Sequence, residues 1–131
     1  MGKTDMNASV IDIDALRRLL AVIGGDTEDL DELLRDFQSE APELVDRMQL
    51  ASRLGDIDAL RIAAHTLKSN ARDFGAVELS ALCATMEQEC RDNRGSEHGE
   101  KVDEIAVQMA LAVQELSKLV EVGLNASGAT D

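Results

Sequence analysis

The sequence predicts an all-α fold: an antiparallel four-helix bundle with an additional short N-terminal helix. Three observations carry this. The apolar residues recur with a helical period along nearly the whole chain, and no stretch alternates with period two. Glycine and capping residues punctuate that pattern at regular intervals, as in Gly24-Gly25-Asp26, Gly55-Asp56 and Gly75. The links at Gly55 and Gly75 are too short for anything but antiparallel neighbours. The chain has 131 residues, 44% of them hydrophobic, which suits one domain with one core.

The first helix is expected over Ile13 to Ile23, closed by Gly24-Gly25. Asp26 is the N-cap of a second, long helix. Its stripe of Leu30, Leu33, Leu34, Phe37, Ala41, Leu44, Val45 and Met48 reaches to about Leu54. Pro42 falls inside it. The stripe continues in phase across the proline, which predicts a kink rather than a break. After Gly55, Asp56 caps a third helix carrying Ile57, Leu60, Ala64, Leu67, Ala71 and Phe74. Gly75 ends it. A fourth carries Leu79, Leu82, Cys83, Met86 and Cys90, and a fifth Val102, Ile105, Met109, Val113, Leu116 and Val120. The domain spans 10–122. The polar ends, 1–9 and 123–131, are expected to be flexible.

Composition excludes several function classes. The net charge is −13, with 26 acidic and 13 basic residues, so the chain lacks the basic face that nucleic acid requires. There is no Trp or Tyr to stack on bases. No apolar run is long enough to span a membrane, and the N-terminus shows no signal peptide. Cys83 and Cys90, seven apart on one helix, are separated by a rise of about 10.5 Å, beyond the ~7 Å reach of a disulfide. They read as small buried hydrophobes in a reducing, cytoplasmic compartment.

The stretch "AAHTLKSNARDFGA", 63–76, departs from this acidic background. Placed at about 100° per residue, His65 lies roughly 130° from the centre of the third helix's apolar arc and faces solvent. Its helix-surface neighbours are Arg61, Ile62, Lys68, Ser69 and Arg72. No Asp or Glu occurs from Ala59 to Arg72, where proportion gives roughly three. Cations around the ring disfavour imidazolium and favour an anion placed on it. A neutral imidazole offers the lone pair a nucleophile needs. Lys68, one turn on, can reach the oxygens of a transferred phosphoryl group as a mobile point charge. Small Ser69 leaves room for a partner, and exposed Ile62 gives it an apolar anchor. A metal site is not expected: a di-iron bundle needs Glu-x-x-His pairs, and Ile62 and Gly95 stand where the glutamates would be. His98, in the polar "GSEHGE" link, reads as a surface residue.

"AAHTLKSNARDFGA" resembles the signature of the histidine phosphotransfer (HPt) domain of bacterial two-component phosphorelays, on His65, Leu67, Lys68, Ser69, Gly75 and Ala76. Its flanks, "LLRDFQSEAPELVDRM" and "LSALCATMEQECR", are also similar to the family. Ser69 stands where the family more often has Gly. The resemblance implies that His65 carries the phosphoryl group, with Lys68 stabilising it and Ser69 as the small gate. It implies a phosphocarrier without kinase activity of its own: His65 receives from a receiver-domain aspartyl phosphate and gives to another receiver aspartate. The implied partners are response-regulator receiver domains and a hybrid sensor kinase, with Mg²⁺ on the receiver and no cofactor here. Arg61 and Arg72 enter from helix geometry, not from the motif. A monomer is expected. The rival reading is a non-catalytic adaptor or antagonist that docks on a receiver or kinase, with His65 incidental.

Overall fold

The computed structural model describes residues 10–92 and 98–122; the termini expected to be flexible, and Gly95, lie outside them. The helices are α1 (Ile13–Val22), α2 (Thr27–Leu54), α3 (Ile57–Asp73), α4 (Val77–Arg91) and α5 (Gly99–Val122). Among the described residues there is no strand.

Local chemistry sets the boundaries. The carboxylates of Asp12, Asp26 and Asp56 accept from the free backbone N–H groups that open α1, α2 and α3. The C-terminal ends of α1, α2 and α3 turn through glycines with positive φ, and their carbonyls are recaptured by paired backbone bonds. At the end of α2, Asp56 N–H reaches Ala51 O at 2.9 Å and Gly55 N–H reaches Ser52 O at 3.3 Å. α2 runs uninterrupted through Pro42. Proline has no N–H to give the carbonyl one turn back, so the continuous apolar stripe holds the helix together there.

α2 packs on α3 and α5, and α4 on α3 and α5, which closes a ring of four helices; α1 lies against α2 and α3. The core contains Phe37, Met48, Leu60, Leu67, Leu79, Met86, Ile105 and Leu116. Phe37 and Phe74 stack with centroids 5.0 Å apart and tie α2 to the end of α3. In α5 the buried stripe includes Ala112 and Leu119, whereas Met109, Val113 and Val120 sit at its edge, half-buried against the core.

The α3–α4 turn is locked from outside. Asp12 N–H donates to Gly75 O at 2.7 Å. Gly75 has φ +79°, and a Cβ there would lie 2.5 Å from the Asp12 carbonyl oxygen. Only glycine permits both the turn and this approach.

His98 does not sit on the surface. It is buried, 4% exposed, and its two ring nitrogens have no hydrogen-bond partner among the described residues. Its Nδ1 lies 3.8 Å from Glu89 Oε1. Polar neighbours in sequence suggested an exposed link, but the start of α5 turns this ring against the bundle.

Candidate phosphotransfer site

His65 projects from the middle of α3 with its side chain 55% exposed, although its backbone lies between buried Ala64 and Leu67. The helix period thus places an open imidazole on a rigid segment. Its Nδ1 lies 2.9 Å from Oε2 of Glu87, on α4. A carboxylate only accepts, so Nδ1 carries the proton and the neutral ring has its lone pair on Nε2.

Glu87 is the centre of the arrangement. Its side chain is 5% exposed and receives three donors: Lys68 Nζ at 2.7 Å on Oε1, and His65 Nδ1 at 2.9 Å and Arg91 Nη2 at 2.8 Å on Oε2. A carboxylate this buried needs such partners to keep its charge. The Lys68 hydrogen bond is the largest influence and holds the Glu87 carboxyl below its ordinary range; burial opposes this, and the His65 hydrogen bond adds to the lowering. Arg91, half in solvent, is screened and contributes less than its short distance suggests.

The backbone under Lys68 is fixed as well, because Ser80 Oγ donates to Lys68 O at 3.2 Å. Beneath the site, burial and then the Glu87 charge push the Cys83 thiol up to about 12. Burial also raises the Cys90 thiol. Both cysteines are buried and free, and both remain thiols at neutral pH.

The structure brings His65 and Lys68 together on one carboxylate. Arg61 and Arg72 share the α3 surface with them, but neither pairs with Glu87; Arg61 lies close enough to α4 to act on Cys90. Ser69 is half-buried beside Lys68. Ile62 is 56% exposed. It lines an open groove between α2 and α3 with Leu50, Leu54 and Thr66.

Glu87 and Arg91 were not identified from the sequence. The stretch 59–72 is free of acid, but α4 inserts a carboxylate into the cationic cluster. The cations expected to disfavour imidazolium are therefore opposed by a negative charge in contact with the ring. The missed signal was hairpin symmetry: His65 lies eleven residues before Ala76 and Glu87 eleven after it, so the turn brings them face to face.

Residues 32–119, more than half of the chain, match the family model described as the Hpt domain. The chain belongs to the Hpt family. A histidine phosphotransfer role in phosphorelays follows from that membership. Two solved Hpt structures share the fold. One is the histidine-containing phosphotransfer protein B (HptB) of Pseudomonas aeruginosa PAO1, 23% identical, covering 87% of this chain and 96% of that one with a TM-score of 0.78. The other is the HPT domain of a sensor hybrid histidine kinase from Shewanella, 16% identical, covering 84% and 97% with a TM-score of 0.69. No curated protein matches the chain. Among the described residues of this Hpt chain, no helix is long and apolar enough to cross a membrane.

Proposed function

We propose that His65 accepts a phosphoryl group on Nε2 from the aspartyl phosphate of one receiver domain and passes it to the aspartate of another, as a cytoplasmic, monomeric phosphocarrier built on residues 10–122. The observation that carries this is the buried Glu87 carboxylate against Nδ1 of an otherwise exposed ring. A passive adaptor has no use for a histidine whose proton is fixed on the inner nitrogen while the outer nitrogen faces a partner.

In the transfer, the Nε2 lone pair attacks phosphorus. The N–P bond forms as the donor's O–P bond breaks, and the aspartate leaves as a carboxylate with the electron pair. Nδ1 keeps its proton. Lys68, 24% exposed and reaching Glu87 from the same helix face, is one short swing from the incoming oxygens. Arg61 and Arg72 add positive field along α3, which suits a receiver pocket lined by carboxylates. Ser69 leaves space for that pocket to approach, and the groove beside Ile62 gives it an apolar seat. The catalytic carboxylates and Mg²⁺ belong to the receiver, and no cofactor is assigned to this chain.

The test is incubation with a phosphorylated receiver, followed by assay for acid-labile phosphate on this chain. Wild type should acquire it and His65→Gln should not, with the helical circular dichroism unchanged. Phosphate on His65→Gln, or its absence from wild type with every receiver tried, would refute the reading.

A further inference from the structure

Glu87 is placed to do more than fix a tautomer. We propose that Glu87, with Arg91 as its counter-cation, is a positioning residue that sets how readily His65 gives up its phosphoryl group, by holding the proton on Nδ1 of the phosphorylated ring. This rests on His65 being the phosphoryl acceptor.

When Nε2 bonds to phosphorus and Nδ1 stays protonated, the ring becomes an imidazolium. Glu87 Oε2, 2.9 Å from Nδ1, pairs with that cation. Departure of the phosphoryl group then returns the N–P electron pair to a neutral imidazole. If the Nδ1 proton is lost first, the same cleavage must expel imidazolate, a far stronger base and a poorer leaving group. The carboxylate that keeps the proton in place therefore keeps the phosphoryl group transferable, to an aspartate or to water.

The geometry also says how this hold is tempered. Arg91 Nη2 occupies the same oxygen as His65 Nδ1, whereas Lys68 occupies the other. Arg91 thus withdraws charge from the oxygen that holds the proton. It is exposed, so it can be removed without opening the buried cluster. The charged groups around the ring lie on α3 (Arg61, Lys68, Arg72) and α4 (Glu87, Arg91), with the Cys83 thiol uncharged beneath. Arg47 of α2 lines the groove shared with Ile62 and Thr66. Among the described residues, no ion pair reaches Glu87 from α1, α2 or α5.

The experiment uses the full chain and phosphoramidate as the phosphodonor, with His65→Gln as the blank. After donor removal, phosphate loss is followed from about pH 5 to about pH 10, a span that brackets imidazole titration. Wild type should lose phosphate faster on the acid side of a single midpoint. In Glu87→Gln the midpoint should fall by at least about one pH unit, the usual effect of removing a contacting opposite charge. At pH values above the wild-type midpoint the phosphate would then live up to about tenfold longer. In Arg91→Gln the midpoint should rise, by less, because Arg91 is partly screened. Should Glu87→Gln fail to fold, the rise in Arg91→Gln alone decides.

A midpoint that does not move in Arg91→Gln, or that moves the same way in both variants, overturns the proposal while leaving His65 as acceptor. Wild type that takes no phosphate from phosphoramidate overturns both, and does so before any variant is measured.

Discussion

Replacing Gly75 by alanine tests whether the turn beneath the site is held as the structure indicates. Alanine at φ +79° meets the left-handed penalty, about 1–2 kcal/mol. Its Cβ would also lie 2.5 Å from the Asp12 carbonyl oxygen and 3.2 Å from Ala15 Cβ, so the start of α1 must move away. That movement stretches or breaks the 2.7 Å bond from Asp12 N–H to Gly75 O, worth about 1 kcal/mol. The sum is about 2–3 kcal/mol, or roughly 10 °C in Tm for a domain of this size. Gly55 is the internal control: it has φ +71°, but a methyl group there would meet nothing within 4 Å, so Gly55→Ala should lose only the first contribution. Urea unfolding of both variants, followed by circular dichroism, gives the difference directly. If Gly75→Ala is no less stable than Gly55→Ala, the contact between α1 and the turn does not hold the protein together.

Lys68→Ala should slow phosphotransfer about tenfold to a hundredfold while leaving receiver affinity nearly intact, because its target is the phosphoryl group; transfer kinetics and binding on one variant separate the two effects. Ser69→Arg should block transfer from a phosphorylated receiver by bulk, although the added charge favours phosphate, and should leave labelling by phosphoramidate in place; unimpaired receiver transfer would show that docking does not cross this face. Because the Glu87 carboxyl is held below its ordinary range, its contribution to stability is complete above the unfolded value of about 4.3 and is lost as pH falls through the lower folded value. Glu87→Gln should therefore flatten the acid limb of the stability curve, and urea midpoints measured at a series of acidic pH values would read this.

The helices were legible because they rest on local signals. Asp26, Asp56 and the glycines at 24, 25 and 55 act within a turn of where they stand, and their roles could be read in order along the chain; Gly75 was legible as the end of α3 but not as the contact for Asp12, 63 residues away in sequence. The outward direction of His65 was legible for the same reason, since it follows from the phase of Leu60, Ala64 and Leu67. Glu87 was not, because its role depends on two helices meeting and nothing in "TMEQECR" marks one of its two acids over the other. His98 misled through the reverse effect: its neighbours are polar, and only the course of the chain into α5 buries it. Pro42 divided the two possibilities of kink and break, and packing along the whole stripe of α2 decided for continuity.

All bonds that define the site lie within one helical hairpin, and the longest in sequence, His65 to Glu87, closes only 22 residues. Contacts this local form early, because little chain entropy is lost in making them. The constellation can therefore assemble as soon as α3 and α4 zip together from the Gly75 turn, before the ends of the chain have found each other. It also means that the outer helices can drift in sequence as long as they keep an apolar face against the hairpin. Two antiparallel helices and a glycine turn are then the unit on which selection for phosphotransfer acts, with the rest of the bundle serving as its solvent.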